Sequence, residues 1–206
     1  MKNQTFLFNR AAVSIMLLLC LFITSCDTIN GPDLQDKDGI KKVKGAVIKA
    51  FGADKKLFSL GLYARDHMNS DFFMAAVSFL ENGKSMDQIL YAYPREAIKP
   101  AKESPIQNAF ILKDRQGSVA LKDLNFDQIP AKAKEAETLI PKEYKDFHLH
   151  SWIFHINNNN KITADFTLEA GKKGEGSKLQ GRRIVSSYYE MNFTMDENGK
   201  ITLKDE

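Results

Sequence analysis

The stretch FHLHSWIFHINNNNKITADFTLEA, residues 147–170, decides the fold, because two runs of strand-forming residues flank four asparagines. Ile, Phe, Trp and Thr favour strands, and Asn readily adopts the left-handed conformations that tight turns need. The stretch therefore predicts an antiparallel hairpin with a turn at residues 157–160.

Counting outward from the asparagines assigns each side chain of this hairpin to a face. If the loop holds residues 157–160, Ile156 pairs with Lys161, and Trp152 then pairs with Asp165. The expected core face holds Leu149, Ile153, Ala164, Phe166 and Leu168. The opposite face mixes aromatic and polar side chains, namely His148, His150, Trp152, Phe154, Thr163, Asp165, Thr167 and Glu169.

Two further hairpins are predicted on either side of this one. Near the C-terminus, a bulge at Gly199 aligns Ile201 and Leu203 with Phe193 and Met195, so that Tyr188 extends the mixed face. Earlier in the chain, residues 72–80 and 86–93 flank the turn dipeptide Asn82-Gly83, and an extra strand is expected at residues 57–63. Ser85-Met-Asp-Gln88 also fits a helix capping box, so the second arm could instead be a short helix.

Two amphipathic helices are predicted, one in each half of the chain. Residues 39–51 place Ile40, Val43, Val47 and Phe51 on one face, with Asp38 as N-cap and Gly52 as C-cap. Residues 128–140 place Ile129, Ala133, Ala136 and Ile140 on one face, with Pro130 in the first turn.

A short motif recurs in the two halves. The segments 114–123 and 196–205 share Asp, Gly, Leu, Lys and Asp at matching places, and each is expected to form a turn followed by a short strand. The chain is therefore predicted to have an α+β fold of two tandem units, residues 37–123 and 124–206. In each unit an amphipathic helix packs on about four antiparallel strands.

This layout resembles the cystatin-like, PepSY-like and beta-lactamase-inhibitor-like modules. The resemblance is architectural, and no sequence motif carries a binding residue over. It implies that a helix covers one face of a curved sheet in each unit and that the other face is left for partners.

The N-terminus has the pattern of a secretion signal. Lys2 and Arg10 precede the apolar run AAVSIMLLLCLF, residues 11–22, and Ile23-Thr-Ser-Cys26 follows at once. This stretch resembles the lipobox of bacterial lipoproteins, which implies a signal peptide at residues 1–25 and lipidation of Cys26. The alternatives are an ordinary secretory signal with an incidental Cys and a retained membrane helix, for which the run falls short of the roughly 20 apolar residues needed.

Residues 26–38, with the lipidated Cys26 at their start, form an acidic tether. Acidic residues soon after the Cys resemble the export signals of surface lipoproteins in Bacteroidetes, so the outer membrane or cell surface is favoured. Asp27 directly after the Cys also resembles the inner-membrane retention signal of enteric bacteria. In either case a lipid anchor attaches the chain to a membrane of the cell envelope.

Composition excludes several classes of function. The formal net charge is +3, and the predicted leader contains two basic and no acidic residues, so the mature chain is near neutral and not a nucleic-acid binder. Cys20 leaves with the leader and Cys26 is acylated, which excludes disulfides and thiolate metal sites. The glycine-rich run at residues 170–183 lacks the order of a phosphate loop, so no nucleotide is expected. No cofactor or metal is expected either.

The sequence contains no GxSxG or HExxH motif, so the chain is predicted not to be an enzyme. The expected function is that of a noncatalytic envelope lipoprotein that binds an envelope protein as an accessory or inhibitor-like module. Its expected partner surface is Trp152, Phe154, Asp165 and Tyr188, unless the two units hide this face between them. The alternative is a metal-dependent hydrolase that uses His148, His150, Asp165 and Glu169.

Overall fold

A computed structural model describes residues 31–92, 96–104, 117–175, 178–180, 183–185 and 187–204. The predicted leader, Cys26 and the tether up to residue 30 lie outside this range. Within the described residues, no helix is both long and apolar enough to cross a bilayer.

Helix α1 (Lys37–Phe51) begins two residues earlier than predicted, because Asp36 caps it in place of Asp38. The Asp36 carboxylate accepts hydrogen bonds from the backbone N–H groups of Asp38 and Gly39, at 2.9 and 2.7 Å. Gly52 ends the helix with a φ of 91°, as the sequence predicts. The apolar face of α1 is buried at Ile40, Val43 and Val47.

Helix α2 (Ile129–Glu137) is shorter than predicted at its C-terminus. Beyond Glu137 the chain tightens into turns in which Leu139 N–H bonds to the Ala136 carbonyl and Ile140 N–H to that of Glu137. Two short 3-10 helices, Leu121–Asp123 and Phe126–Gln128, precede α2. The predicted apolar face is buried, with Ile129, Ala133 and Ala136 fully enclosed.

The strands of the described residues are β1 (Lys56–Leu57), β2 (Ser59–Ala64), β3 (Phe72–Glu81), β4 (Lys84–Tyr91), β5 (Ala97–Ile98), β6 (Lys102–Glu103), β7 (Val119–Ala120), β8 (Tyr144–Ile156), β9 (Ile162–Lys172), β10 (Lys178–Gln180), β11 (Arg183–Val185), β12 (Tyr189–Met195) and β13 (Ile201–Leu203). The extra strand expected near residues 57–63 is β2. The second arm after Asn82-Gly83 is a strand, β4, and not the alternative helix.

Nine of these strands form one antiparallel sheet in the order β13-β12-β9-β8-β2-β3-β4-β5, with β6 also pairing with β4. Two small sheets, β1-β7 and β10-β11, complete the described pairing. The fold is therefore α+β with an antiparallel sheet, as predicted. Strands of the two sequence halves lie on opposite sides of the β2–β8 junction.

The two α-helices and two 3-10 helices of the described residues contribute to a single hydrophobic core on one face of this sheet. A row of aromatic rings crosses the sheet inside that core. Trp152 on β8 stacks on Phe166 on β9 at 4.6 Å between ring centroids, and Phe166 stacks on Phe193 on β12 at 5.1 Å. Such offset stacking adds to the stability gained from burial.

The predicted register of the β8–β9 hairpin is wrong over its turn-proximal half. Trp152 pairs with Phe166, and Ile156 pairs with Ile162, each one residue further along β9 than predicted. The turn encloses Asn157–Lys161, and Asn160 takes a left-handed φ of 59°. Because a one-residue slip reverses the faces, Trp152 and Phe154 point into the core.

The C-terminal hairpin follows its predicted register. Phe193 pairs with Leu203 and Met195 with Ile201, and Gly199 has a φ of 79°. The alignment buries Phe193, Met195 and Ile201 against α2 and the rest of the core.

The repeated motif does not mark a repeated local structure. Val119–Ala120 pairs with β1 outside the main sheet, whereas Ile201–Leu203 pairs with β12 inside it. Gly117 does not share the positive φ of Gly199. Instead, a Cβ atom at Gly117 would lie 2.0 Å from the Asn157 carbonyl oxygen, so glycine is needed there for close packing. Residues 114–116 of the first copy lie outside the described residues.

Candidate functional site

Strand β8 carries two irregularities, one just before His148 and the other at His150. The pairing with β9 shifts between Lys145 and His148, where Asp146 has a left-handed φ of 56°, and again between Leu149 and Ser151. Each shift inserts one extra residue into β8, as in a β-bulge. In a regular strand, residues three apart point to opposite faces, but the second bulge lets Leu149 and Trp152 both point into the core. The extra residue of this bulge, His150, faces Glu169.

The bulged part of β8 extends beyond the end of β2, so its edge is held by side chains. β2 pairs with β8 only as far as Ser151. The Leu149 N–H donates to Ser70 Oγ at 2.9 Å and to Gln35 Oε1 at 3.0 Å, and Ser70 Oγ donates to the same Gln35 oxygen at 2.6 Å. These bonds satisfy a backbone donor that no strand reaches.

Glu169 is the centre of the candidate site. It is paired with His148 across the β8–β9 ladder, and its side chain has no exposed surface. A buried carboxylate is costly unless it accepts hydrogen bonds. His67 Nδ1 lies 2.6 Å from Glu169 Oε1, and the Met68 backbone N–H donates to Oε2.

The loop between β2 and β3 brings His67 to this position. Met68 adopts a left-handed φ of 55°, which is unfavourable for a residue with a side chain and must be compensated by its contacts. Its bond to Glu169 is one such contact. The segment is tied down further by Leu34 N–H to the Ser70 carbonyl, at 2.9 Å.

The His67 ring stacks with two other rings. Tyr188 stacks on it at 4.2 Å between centroids and His150 at 5.4 Å, and the Tyr188 hydroxyl is 2.9 Å from His67 Nε2. Since an ionised carboxylate can only accept, His67 Nδ1 donates to Glu169 and Nε2 accepts from the Tyr188 hydroxyl when the ring is neutral. We call His67, His150, Glu169 and Tyr188 the Glu169 cluster.

Two groups of the Glu169 cluster have shifted pKa values. The hydrogen bond to Glu169 raises the pKa of His67 above its ordinary value of 6.5, and the negative charges of Glu190 and Asp66 add to the effect. Burial raises the pKa of the Tyr188 hydroxyl. The cluster therefore favours positive charge next to a buried carboxylate.

The predicted hydrolase residues do not converge. His150 and Glu169 do meet, and with His67 they bring three possible ligand atoms within 4.8 Å of one another. His148 and Asp165 are not part of that group; Asp165 lies 3.4 Å from His155 and 3.2 Å from Lys204. His67 could not be identified from the sequence, because no strand register links a loop residue to Glu169, 102 residues away.

The predicted partner surface is not formed as expected. Trp152 and Phe154 have no exposed surface, because the register places both against the core. Asp165 remains part-exposed on the opposite face, whereas Tyr188 belongs to the Glu169 cluster. Trp152 and Phe154 therefore cannot meet a partner while the protein is folded.

The sheet face opposite the helices has an apolar centre, but it is built from other residues than the predicted Trp152 and Phe154. Cross-strand neighbours share a face, so the pairs of β2 with β3 and β8, and of β3 with β4, define it. We call this surface the free face; its half-buried central side chains are Tyr63, Met74, Ala76, Ile89, Tyr91 and Ile153.

Tyr63 lies flat at the middle of the free face. A Cβ atom at Gly61 would be 2.6 Å from its ring, so the ring covers the glycine. Burial raises the pKa of the Tyr63 hydroxyl. Polar pairs border the centre, including Ser78 to Asp87 at 2.7 Å and Thr167 to Asn192 at 2.8 Å.

In comparisons with protein-family models, with curated proteins and with solved structures, nothing matched this chain.

Proposed function

We propose that this chain is a noncatalytic, lipid-anchored protein of the bacterial cell envelope that binds a protein partner through the free face. The observation that carries the proposal is the half-buried aromatic and aliphatic centre of that face, bordered by polar pairs. Interfaces combine such a centre with a polar rim.

Tyr63 is the best anchor for a partner. Its ring is part-buried before any partner binds, because it rests on Gly61. A tyrosine held in one position loses little conformational entropy on binding, and tyrosines are enriched among the residues that dominate binding energy. Ile153 and Ala76 flank Gly61 across the sheet and extend a level apolar surface on both sides.

The proposed anchor rests on residues 1–26. The charged start, the short apolar run and Cys26 support lipidation, and the acidic residues that follow support an outer-membrane or surface location. Such an anchor would hold the free face near envelope proteins and raise their effective concentration.

We also propose that the two sequence halves are copies of one unit. In support, each half begins with a helix and continues with strands that run outward from the β2–β8 junction, as β2-β3-β4-β5 and as β8-β9-β12-β13. In this scheme β2, the extra strand of the first half, corresponds to β8. Superposition of α1-β2-β3-β4 on α2-β8-β9-β12 in a crystal structure tests the scheme.

Site-specific photo-crosslinking tests the free face. A photoreactive phenylalanine analogue replaces Ile153 or Tyr91, and in a matched control it replaces Leu139, which is 46% exposed beyond α2 on the helix side. We expect one discrete protein adduct from both free-face positions in the native envelope, and its loss when Tyr63→Ala is added. Equal adducts from Leu139, or none from the free face, would refute the proposal.

Mass spectrometry tests the anchor separately. The membrane-extracted protein should yield an acylated N-terminal peptide that begins at Cys26, and Cys26→Ser should release the protein from the membrane fraction. An unmodified peptide beginning at Met1 would refute this part of the proposal without affecting the free face.

A further inference from the structure

We propose that His67, His150 and Glu169 form a binding site for one divalent transition-metal ion, with Zn²⁺ as the best fit. This proposal does not rest on the proposed function, and none of the three residues is among the central side chains of the free face. His150 and Glu169 belong to the set that the sequence pointed to, whereas His67 does not.

The distances suit an ion of this class. Zn²⁺ binds imidazole nitrogen and carboxylate oxygen at about 2.0–2.2 Å, which places two ligands of a tetrahedral ion roughly 3.3–3.5 Å apart. His150 Nδ1 lies 3.3 Å from Glu169 Oε1, and all three ligand atoms lie within 4.8 Å. The 2.6 Å contact of His67 Nδ1 with the same oxygen is shorter, because a proton joins those two atoms.

One buried atom of the cluster makes no hydrogen bond within the described part of the chain, although it lies 3.3 Å from Glu169 Oε1. His150 Nδ1 is inaccessible to solvent and makes no hydrogen bond with the described residues. Buried polar atoms in proteins are nearly always satisfied by a partner, a water or an ion. A metal between His150 Nδ1 and Glu169 would satisfy it.

The contacts around the ligands are those of a supported metal site. The Met68 N–H holds Glu169 Oε2 and leaves Oε1 directed at the two histidines, while the Tyr188 hydroxyl bonds to the second nitrogen of His67. Such outer contacts orient metal ligands. The Tyr188 hydroxyl can also accept a hydrogen bond, so it would stay bonded to Nε2–H when Nδ1 holds the ion. Glu190, directly opposite Glu169 on β12, adds negative charge nearby.

The ligand types select the class of ion. Ca²⁺ and Mg²⁺ prefer sites built from oxygen, whereas imidazole ligands suit Zn²⁺, Cu²⁺ and Ni²⁺. The His67 side chain is 52% exposed, which gives the ion an entry path and leaves room for a water as fourth ligand. On binding, the ion would take the place of the proton between His67 and Glu169. A protonated His67 would release that proton to solvent, whereas in a neutral His67 it would move to Nε2 and donate to the Tyr188 oxygen.

Calorimetry with the purified, untagged full chain tests the site, with Zn²⁺ as titrant after chelator treatment. We expect one ion per chain, and a loss of affinity of at least about tenfold in both His67→Ala and His150→Ala. His155→Ala is the matched control, since it removes a part-exposed histidine from β8, the strand that carries His150. The Zn²⁺ affinity of this variant should stay within about twofold of the wild-type value.

Cobalt spectroscopy supplies a second measurement. Co²⁺ in a four-coordinate site absorbs strongly in the visible range, so the wild-type chain should develop colour with one equivalent and His67→Ala should not. Absence of stoichiometric Zn²⁺ binding, or an equal loss of Zn²⁺ affinity in His155→Ala, would overturn the proposal. His67 and Glu169 would then be only a hydrogen-bonded pair. Because about half of the His67 side chain is exposed, the His67→Ala variant should keep the wild-type circular dichroism spectrum, which separates lost binding from lost folding.

Discussion

Asn160 and Gly199 occupy the same left-handed position in two turns with the same hydrogen bonds. In the first turn Asn157 Oδ1 accepts from the N–H groups of Asn159 and Lys161, both at 3.0 Å. In the second, Asp196 Oδ1 accepts from Asn198 and Lys200, at 2.9 and 2.8 Å. Asn160 has a φ of 59° and Gly199 a φ of 79°, so the β8–β9 and β12–β13 hairpins are closed by the same type of turn.

The shared turn predicts matched losses of stability. Asn157→Ala and Asp196→Ala each remove an oxygen that accepts two backbone N–H groups, so each should destabilise the protein by about 1–2 kcal/mol in urea unfolding. Glu197→Ala is the control, because it removes only a surface ion pair with Lys161 and should cost less than about 1 kcal/mol. An equal cost for all three variants would contradict the assigned role of the two side chains.

Two Gly→Ala changes should have opposite effects. Gly117→Ala would place a Cβ atom 2.0 Å from the backbone oxygen of Asn157, which can move only with the whole turn, so a loss of about 2 kcal/mol or more is expected. Gly45→Ala lies on the exposed side of α1 with no atom within 4 Å, and it should stabilise the helix by about 0.5–1 kcal/mol. Thermal unfolding of both variants measures the difference.

Trp152 should behave as a core residue. With no exposed surface and ring contacts to Phe154 and Phe166, it should emit at short wavelength and resist quenching by iodide. Trp152→Ala should destabilise the protein by about 3–5 kcal/mol, whereas His155→Ala should cost little. A readily quenched indole would show that the β8 register is wrong.

Tyr63 should make stability depend on alkaline pH. Its pKa is raised by burial, so the folded state holds the phenol proton more tightly than the unfolded state. Stability from this group is complete below the ordinary pKa near 10 and is lost as pH rises through the raised folded value. The decline in unfolding free energy above pH 10 should be smaller in Tyr63→Phe, and equal declines would contradict the burial of the hydroxyl.

Periodicity and turn residues were sufficient to predict the helices and hairpins, but not the details of β8. Ile40, Val43 and Val47 mark α1, and Asn82-Gly83 marks the β3–β4 turn, because each signal is local. The bulge beside His150 depends on Ser70 and Gln35, which bond to Leu149 from distant parts of the chain. No local pattern reports such contacts.

The error in the β8–β9 register came from the loop and not from the strands. Gly199 indicates a left-handed position in the turn, so the C-terminal register could be predicted. Asn160 has the same left-handed conformation, but asparagine is common at many turn positions, so the sequence does not show which of the four asparagines adopts it. The Glu169 cluster was hidden for a related reason, since His67 reaches Glu169 through the left-handed Met68 in a loop with no strand pairing.

The ties between the described N-terminal segment and the His67 loop have a mechanical consequence. Phe72 N–H bonds to the Pro32 carbonyl and Leu34 N–H to the Ser70 carbonyl, each at 2.9 Å, around the bridge of Asp33 with Asp71. If Cys26 fixes the chain to a membrane, tension along the chain would load these bonds. A force strong enough to break these bonds would release the loop that holds His67. The contact between His67 and Glu169 would then depend on the force applied through the anchor.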